Sequence, residues 1–262
     1  MIMEKVFIKN RKGQKVAVLI ERARDQKGLA FVMHGHSGTK DDEDIGIFAG
    51  AFRDKGFTVV RFDTTNTYGE SDGRNEDSST TNYYEDLEDV IAWARRQEWY
   101  QEPFVLAGHS LGSFCIALYA ERYPERVLAI APISPVVSGR LWSEALERVD
   151  PDYMRRWKET GWREDKSVSR PGLVKRLPWS FAEDRLKYDL LPDASKLTMP
   201  VLLIVGENDT STPPDHVELL YNALPGPKEF RIIKNAPHTF RDPEHLEEIR
   251  ALLLNWIGSL SR

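Results

Sequence analysis

The sequence predicts an α/β fold: a mostly parallel, eight-stranded sheet flanked by helices, with a helical insertion late in the chain. Short runs of β-branched and aromatic residues alternate with longer segments of helical spacing almost end to end, the pattern of parallel strands joined by crossover helices. Several runs are apolar without interruption, as in Val201-Leu202-Leu203-Ile204-Val205, so such strands are covered on both faces. The rhythm lapses once, over 135–199, where no run reads as a buried strand.

Taken in order, Val6-Phe7-Ile8 and Val16-Ala17-Val18-Leu19-Ile20 flank a turn at Arg11-Lys12-Gly13 and read as an antiparallel hairpin. Strands are expected next at 29–33, 58–62, 104–107, 127–132, 201–205 and 230–233. Between them, 45–55, 83–96, 113–122, 215–223 and 243–260 place apolar residues at helical spacing, with Leu87, Ile91 and Ala94 as one stripe. The last helix opens with Asp242-Pro243, an N-cap followed by proline at the first helical position, and is expected to close an edge of the sheet. Two acidic groups, Asp41-Asp42-Glu43-Asp44 and Glu85-Asp86 with Glu88-Asp89, are expected at helix starts, where carboxylates complement the helix dipole. The stretch 135–199 holds Trp142, Trp157, Trp162 and Trp179, four of the seven tryptophans. It is expected to form a helical cap on a core of 1–134 and 200–262, with those tryptophans lining a substrate pocket.

Composition narrows the function. The 262 residues carry 36 basic against 41 acidic side chains, a net charge of -5, without the basic stripe that nucleic acid demands. No apolar run reaches the roughly 18 residues of a membrane span. The opening MIMEKVFIKN is too charged for an export signal. The single cysteine, Cys115, forms no internal disulfide and suits a reducing compartment, so a cytoplasmic protein, monomeric or a homodimer, is expected. His34 and His36 lack a third metal ligand at a recognisable spacing, and Gly35, Gly38 and Gly46 fit no phosphate-cradling pattern, so neither metal nor cofactor is expected.

The chemistry is carried by Gly108-His109-Ser110-Leu111-Gly112, which follows an expected strand and precedes an expected helix. A serine on so sharp a turn needs small flanking residues, and the turn exposes its hydroxyl. Leu111 then starts a helix, where unpaired N–H donors favour developing negative charge. A serine hydroxyl needs a base, and the base needs an orienting carboxylate. Asp209, in Gly206-Glu207-Asn208-Asp209, lies just past a strand end, and His238, in Asn235-Ala236-Pro237-His238, follows the last strand. Glu207 and Asp215 are the competing acids, and His216 and His245, both in expected helices, the competing bases.

On these residues, with His34-Gly35-His36-Ser37-Gly38, Gly69-Glu70-Ser71-Asp72-Gly73 and Pro213, the chain resembles the α/β-hydrolases over essentially its full length. More narrowly it is similar to cinnamoyl and feruloyl esterases near the serine-aminopeptidase and monoacylglycerol-lipase branch. The resemblance implies a Ser110, His238, Asp209 triad, an oxyanion hole from the backbone N–H groups of His36 and Leu111, and a tryptophan-rich cap over the pocket. A small-molecule ester with an aromatic or short acyl group is the expected substrate. Monoacylglycerol lipase-like and aminopeptidase activities are the alternatives, the latter with Glu144, Glu147 and Asp150 to grip an amine. A non-catalytic ligand-binding scaffold is the alternative of another class.

Overall fold

Strand pairing gathers the expected runs into one sheet. In the computed structural model, which describes residues 2–166 and 172–260, the strands are β1 (Ile2–Lys9), β2 (Lys15–Arg22), β3 (Gly28–Met33), β4 (Phe57–Phe62), β5 (Phe104–His109), β6 (Val127–Ile133), β7 (Trp162–Lys166), β8 (Val174–Pro178), β9 (Val201–Gly206) and β10 (Lys228–Ile233). Eight of them form a sheet in the order β1-β2-β4-β3-β5-β6-β9-β10. The first hairpin is antiparallel, β2 runs antiparallel to β4, and every later neighbour pair is parallel.

The helices are α1 (Glu43–Asp54), α2 (Thr80–Ala94), α3 (Leu111–Arg122), α4 (Gly139–Val149), α5 (Tyr153–Thr160), α6 (Trp179–Arg185), α7 (Pro214–Ala223) and α8 (Pro243–Ser259). Side chains alternate across a strand, and β3 shows the result. Ala30 and Val32 pack with Phe48 and Phe52 of α1 and Ile249 and Leu253 of α8. Phe31 and Met33 belong to the opposite layer, with Leu87 of α2, Phe114 of α3 and Leu220 of α7. The Asp242 carboxylate caps α8 by accepting from Glu244 N–H at 2.9 Å. That helix lies beside α1 on a face of the sheet and touches the edge strand β10. Among the described residues no helix is long and apolar enough to cross a membrane.

Two expectations change. Of the acidic groups, Asp42, Glu43 and Asp44 do mark a helix start, but Glu85 to Asp89 lie inside α2. Asp86 is fully buried there and accepts from Asn10 Nδ2 at 2.8 Å, Thr65 N–H at 2.6 Å and Asn82 Nδ2 at 3.0 Å. It ties the first hairpin and the loop after β4 to the helix. The insertion, in turn, is not purely helical: α4, α5 and α6 share it with the β7–β8 hairpin. The hairpin escapes sequence reading because its strands, Trp-Arg-Glu-Asp-Lys and Val-Lys-Arg-Leu-Pro, are half-exposed and carry no apolar run.

Glu121 on α3 is 4% exposed, and its Oε1 has no hydrogen-bond partner. Burial pushes its carboxyl up to about 8, from an ordinary 4.5. The folded chain therefore holds a proton there that the unfolded chain releases, and stability drains as pH rises from about 4.5 through about 8. Glu121→Gln is expected to match the parent's melting temperature near pH 4 and to exceed it by several degrees at pH 9, a gain on the order of 2 kcal/mol. Melting curves at the two pH values check this.

Candidate active site

Between β5 and α3 the chain reverses on one residue. Ser110 has φ 52° and ψ −115°, a strained backbone for a residue with a Cβ. Its N–H donates to the Ile133 carbonyl at 2.9 Å. Ser113 Oγ, which contacts the Gly108 carbonyl, accepts from Ile133 N–H at 2.9 Å, so β6 clamps the turn on both sides. The flanking glycines are required by space: a Cβ at Gly112 would lie 2.5 Å from the His34 carbonyl oxygen, and one at Gly108 2.9 Å from the Gly112 carbonyl carbon.

The turn aims Ser110 Oγ at His238, whose Nε2 lies 2.9 Å away. His238 Nδ1 is 2.8 Å from Asp209 Oδ2. The chain thus brings together all three residues singled out from its sequence. Asp209, buried in the loop after β9, is held by neighbours that sequence reading missed. Its Oδ1 accepts from Ser211 N–H at 2.9 Å and Thr212 N–H at 2.8 Å, and Thr212 Oγ1 donates to Oδ2 at 2.8 Å. An aspartate followed by hydroxyl residues in a turn is the local signal. Burial pushes the Asp209 carboxyl up, but the His238 ring and the Thr212 hydrogen bonds outweigh it and hold the carboxyl below its usual range. His109 Nε2 donates to the His238 carbonyl at 2.9 Å and braces that loop. Burial lowers the pKa of His109 and favours its neutral form.

The loop after β3 closes the other side. His34 anchors it, with Nδ1 donating to the Gly35 carbonyl at 2.7 Å and Nε2 accepting from Thr64 N–H at 3.1 Å. Ser37 N–H donates to Tyr83 Oη at 3.0 Å. Leu111 is the first residue of α3, where N–H groups lack intrahelical acceptors, and Gly35 packs directly against Ser110. His36 Nε2 lies 3.0 Å from Ser78 Oγ. Burial first, then the charges of Arg185, Lys175 and Arg163, drive its imidazole well below the ordinary 6.5, so it is neutral.

A cavity of about 470 Å³ opens over Ser110 and His238, walled by the loop after β3, the start of α1 and the insertion. Of the four tryptophans expected there, Trp142 alone lines it. Trp157 is buried within the insertion, its Nε1 donating to the Leu177 carbonyl at 3.1 Å and its ring packed edge-on against Trp142 and Trp179. Trp179 packs behind Trp157, and Trp162 is 42% exposed under the Arg176 guanidinium. The correction has a simple cause: a unit this small needs its large rings for its own core, which leaves one for the cavity wall. The wall is instead charged with both signs: Arg163, Lys175 and Arg185 stand on the insertion, Arg241 follows β10, and Asp42, Glu43 and Asp44 face them from the start of α1. Glu144, Glu147 and Asp150 do not line it, and Glu144 and Asp150 pair with Arg140 and Arg156. Among the described residues no group of three or more His, Cys, Asp or Glu side chains could hold a metal ion.

Comparison with known proteins fits this geometry. A profile of the family described as "Serine aminopeptidase, S33" matches residues 24–244. The chain is 27% identical, over 87% of its length and 89% of the relative's, to an uncharacterized 31.7 kDa protein from the traX-finO intergenic region of Escherichia coli. Among solved structures, Est1E from Butyrivibrio proteoclasticus with ferulic acid bound superposes with a TM-score of 0.80 at 18% identity, covering 97% of this chain and 98% of that one. The mouse alpha/beta hydrolase domain-containing protein 10 gives a TM-score of 0.81 at 17% identity, covering 98% and 100%.

Proposed function

The chain belongs to the serine aminopeptidase S33 family of α/β-hydrolases, and on that premise we propose that it is a serine esterase working through a covalent acyl-enzyme. The hydrogen-bonded line from Ser110 Oγ through His238 to Asp209, at 2.9 and 2.8 Å, carries this reading. Ser110 Oγ attacks the ester carbonyl while His238 Nε2 takes its proton, and Asp209 holds the ring with Nδ1 protonated. The N–H groups of His36 and Leu111 receive the tetrahedral oxyanion, each worth on the order of 3 kcal/mol in such sites. The ester C–O bond then breaks, and His238 returns the proton to the leaving alcohol. Water, deprotonated by the same ring, frees the acyl group as an acid.

The substrate is a small ester with an aromatic or short acyl group. Trp142, Phe181 and Phe240 offer flat apolar contact in the cavity, and its volume suits a compact molecule. Peptide amides are the second reading: Glu144, Glu147 and Asp150 of the insertion lie off the cavity wall, while Asp42, Glu43 and Asp44 at the start of α1 do line it. Hydrolysis of methyl ferulate and p-nitrophenyl butyrate tests the assignment. Rates within about tenfold of each other are expected, butyrate turnover alone would remove the aromatic preference, and silence on both would remove the esterase reading.

A further inference from the structure

Arg185, the last residue of α6, is 6% exposed and stands in the cavity wall. Its guanidinium lies over the rings of Trp142 and Phe181, each 4.6 Å from the centroid. The two ring centroids are 6.3 Å apart, so the rings meet the group from adjoining sides and do not sandwich it, and hydrogen bonds leave a guanidinium in its plane. In that plane, Nε and Nη2 reach no hydrogen-bond partner. These two nitrogens share one edge of the group, and together they form the side-on fork that fits a carboxylate through two parallel bonds.

The neighbouring acids do not supply that carboxylate. Asp184 is engaged by Thr81, whose N–H and Oγ1 donate to it at 2.9 and 2.7 Å. Asp165 pairs with Arg163 two residues before it on β7. On the far wall, Asp42 accepts from Thr39 N–H and Oγ1 at 2.9 and 2.8 Å, while Glu43 and Asp44 belong to the start of α1. On β7 and β8, Arg163 pairs with Leu177 and Asp165 with Lys175, so these four residues share one face. Three of them, Arg163, Lys175 and Leu177, line the same cavity as Arg185. Burial pulls the Arg185 guanidinium down to about 9, which still leaves it charged at neutral pH. A buried cation whose donors lack acceptors is costly to keep unless something answers it.

We infer that the site takes esters carrying a carboxylate, which Arg185 binds through its Nε and Nη2 fork with Arg163 and Lys175 adding positive charge beside it. The inference rests on the esterase reading and deepens it. Nε and Nη2 are both buried in the wall, so the guanidinium must turn about its last side-chain bond to meet a carboxylate in the cavity. The carboxylate sits on the acyl side, as in a half-ester of a dicarboxylic acid, or on the alcohol side, as in an acylated hydroxy acid.

Two matched pairs test it with the whole protein. Monomethyl adipate against its monoamide reads the acyl side, and 4-acetoxybenzoate against 4-acetoxybenzamide reads the alcohol side. In one pair kcat/KM is expected to favour the carboxylate at least tenfold, mostly through KM. Arg185→Met should bring that ratio close to one, Arg185→Lys should keep part of it, and Arg163→Gln, on the half-exposed hairpin, should lower it a few-fold. A ratio near or below one in both pairs overturns the inference, as does an unchanged ratio in Arg185→Met. A neutral fluorophosphonate separates the two layers: labelling of Ser110 with no carboxylate preference removes this inference alone, and no labelling removes it together with the esterase reading.

Discussion

Replacing Ser110 by alanine is expected to lower ester turnover at least about a thousandfold while leaving the melting temperature essentially unchanged. The asymmetry follows from what the side chain touches. Its Oγ meets the His238 ring and caps no helix, since Ser110 precedes α3 without a side-chain hydrogen bond to it. The backbone contacts that hold the turn, from Ser110 N–H and Ser113 Oγ to β6, survive the substitution. Nor does Ser113 offer a replacement, because its hydroxyl is buried and committed to the Gly108 and Ile133 backbone. Turnover with methyl ferulate or p-nitrophenyl butyrate, beside a melting curve, decides it, and a folded Ser110→Ala protein that keeps its activity rules the mechanism out.

Asp209→Asn should cost on the order of 10⁴ in turnover, although the two side chains are nearly the same size. The Oδ1 position faces two backbone donors, Ser211 N–H and Thr212 N–H. An asparagine must keep its oxygen there and turn its NH₂ toward His238 Nδ1. That ring nitrogen then has to accept, which shifts the proton to Nε2 and leaves nothing to receive the proton of Ser110. The loop keeps the Ser211 and Thr212 N–H bonds to Oδ1 and loses only the Thr212 Oγ1 donation to Oδ2, so the melting temperature should move by only a few degrees. Labelling of Ser110 by a fluorophosphonate should slow along with turnover, and labelling at the parent rate would show that the carboxylate does not set the ring's tautomer.

Sequence and structure agree best where a pattern is enforced by burial. Strands covered on both faces, such as Val201–Gly206, must be apolar throughout and announce themselves. The meeting of Ser110, Asp209 and His238 was legible for a related reason: each follows a strand at its carboxyl end, and parallel strands deliver those ends to one rim. The β7–β8 hairpin lacked such a mark, because half-exposed strands tolerate any residue that suits their neighbours. Trp157 was misread as a pocket residue because large aromatics fill a small core and line a cavity equally well. Arg185 gave no local signal at all. Its unpartnered edge appears only when α6 carries it against Trp142 and leaves Nε and Nη2 without an acceptor.

The insertion leaves the sheet after β6 and returns to it as β9, and these two strands are direct neighbours, with Ile130 beside Val201 and Ile133 beside Ile204. The strands are parallel, so the segment leaves at the end of one and must return to the start of the other, and both ends stay fixed by that pairing whatever lies between them. Closing a longer or shorter segment across that gap changes the cost by only about 0.6 kcal/mol per doubling of length. Under the proposed function, recognition and reaction therefore sit on separable parts of the chain. On the proposed mechanism, exchanging the roof, cations included, would change which esters are held while Ser110 and His238 keep their places at the rim of the sheet.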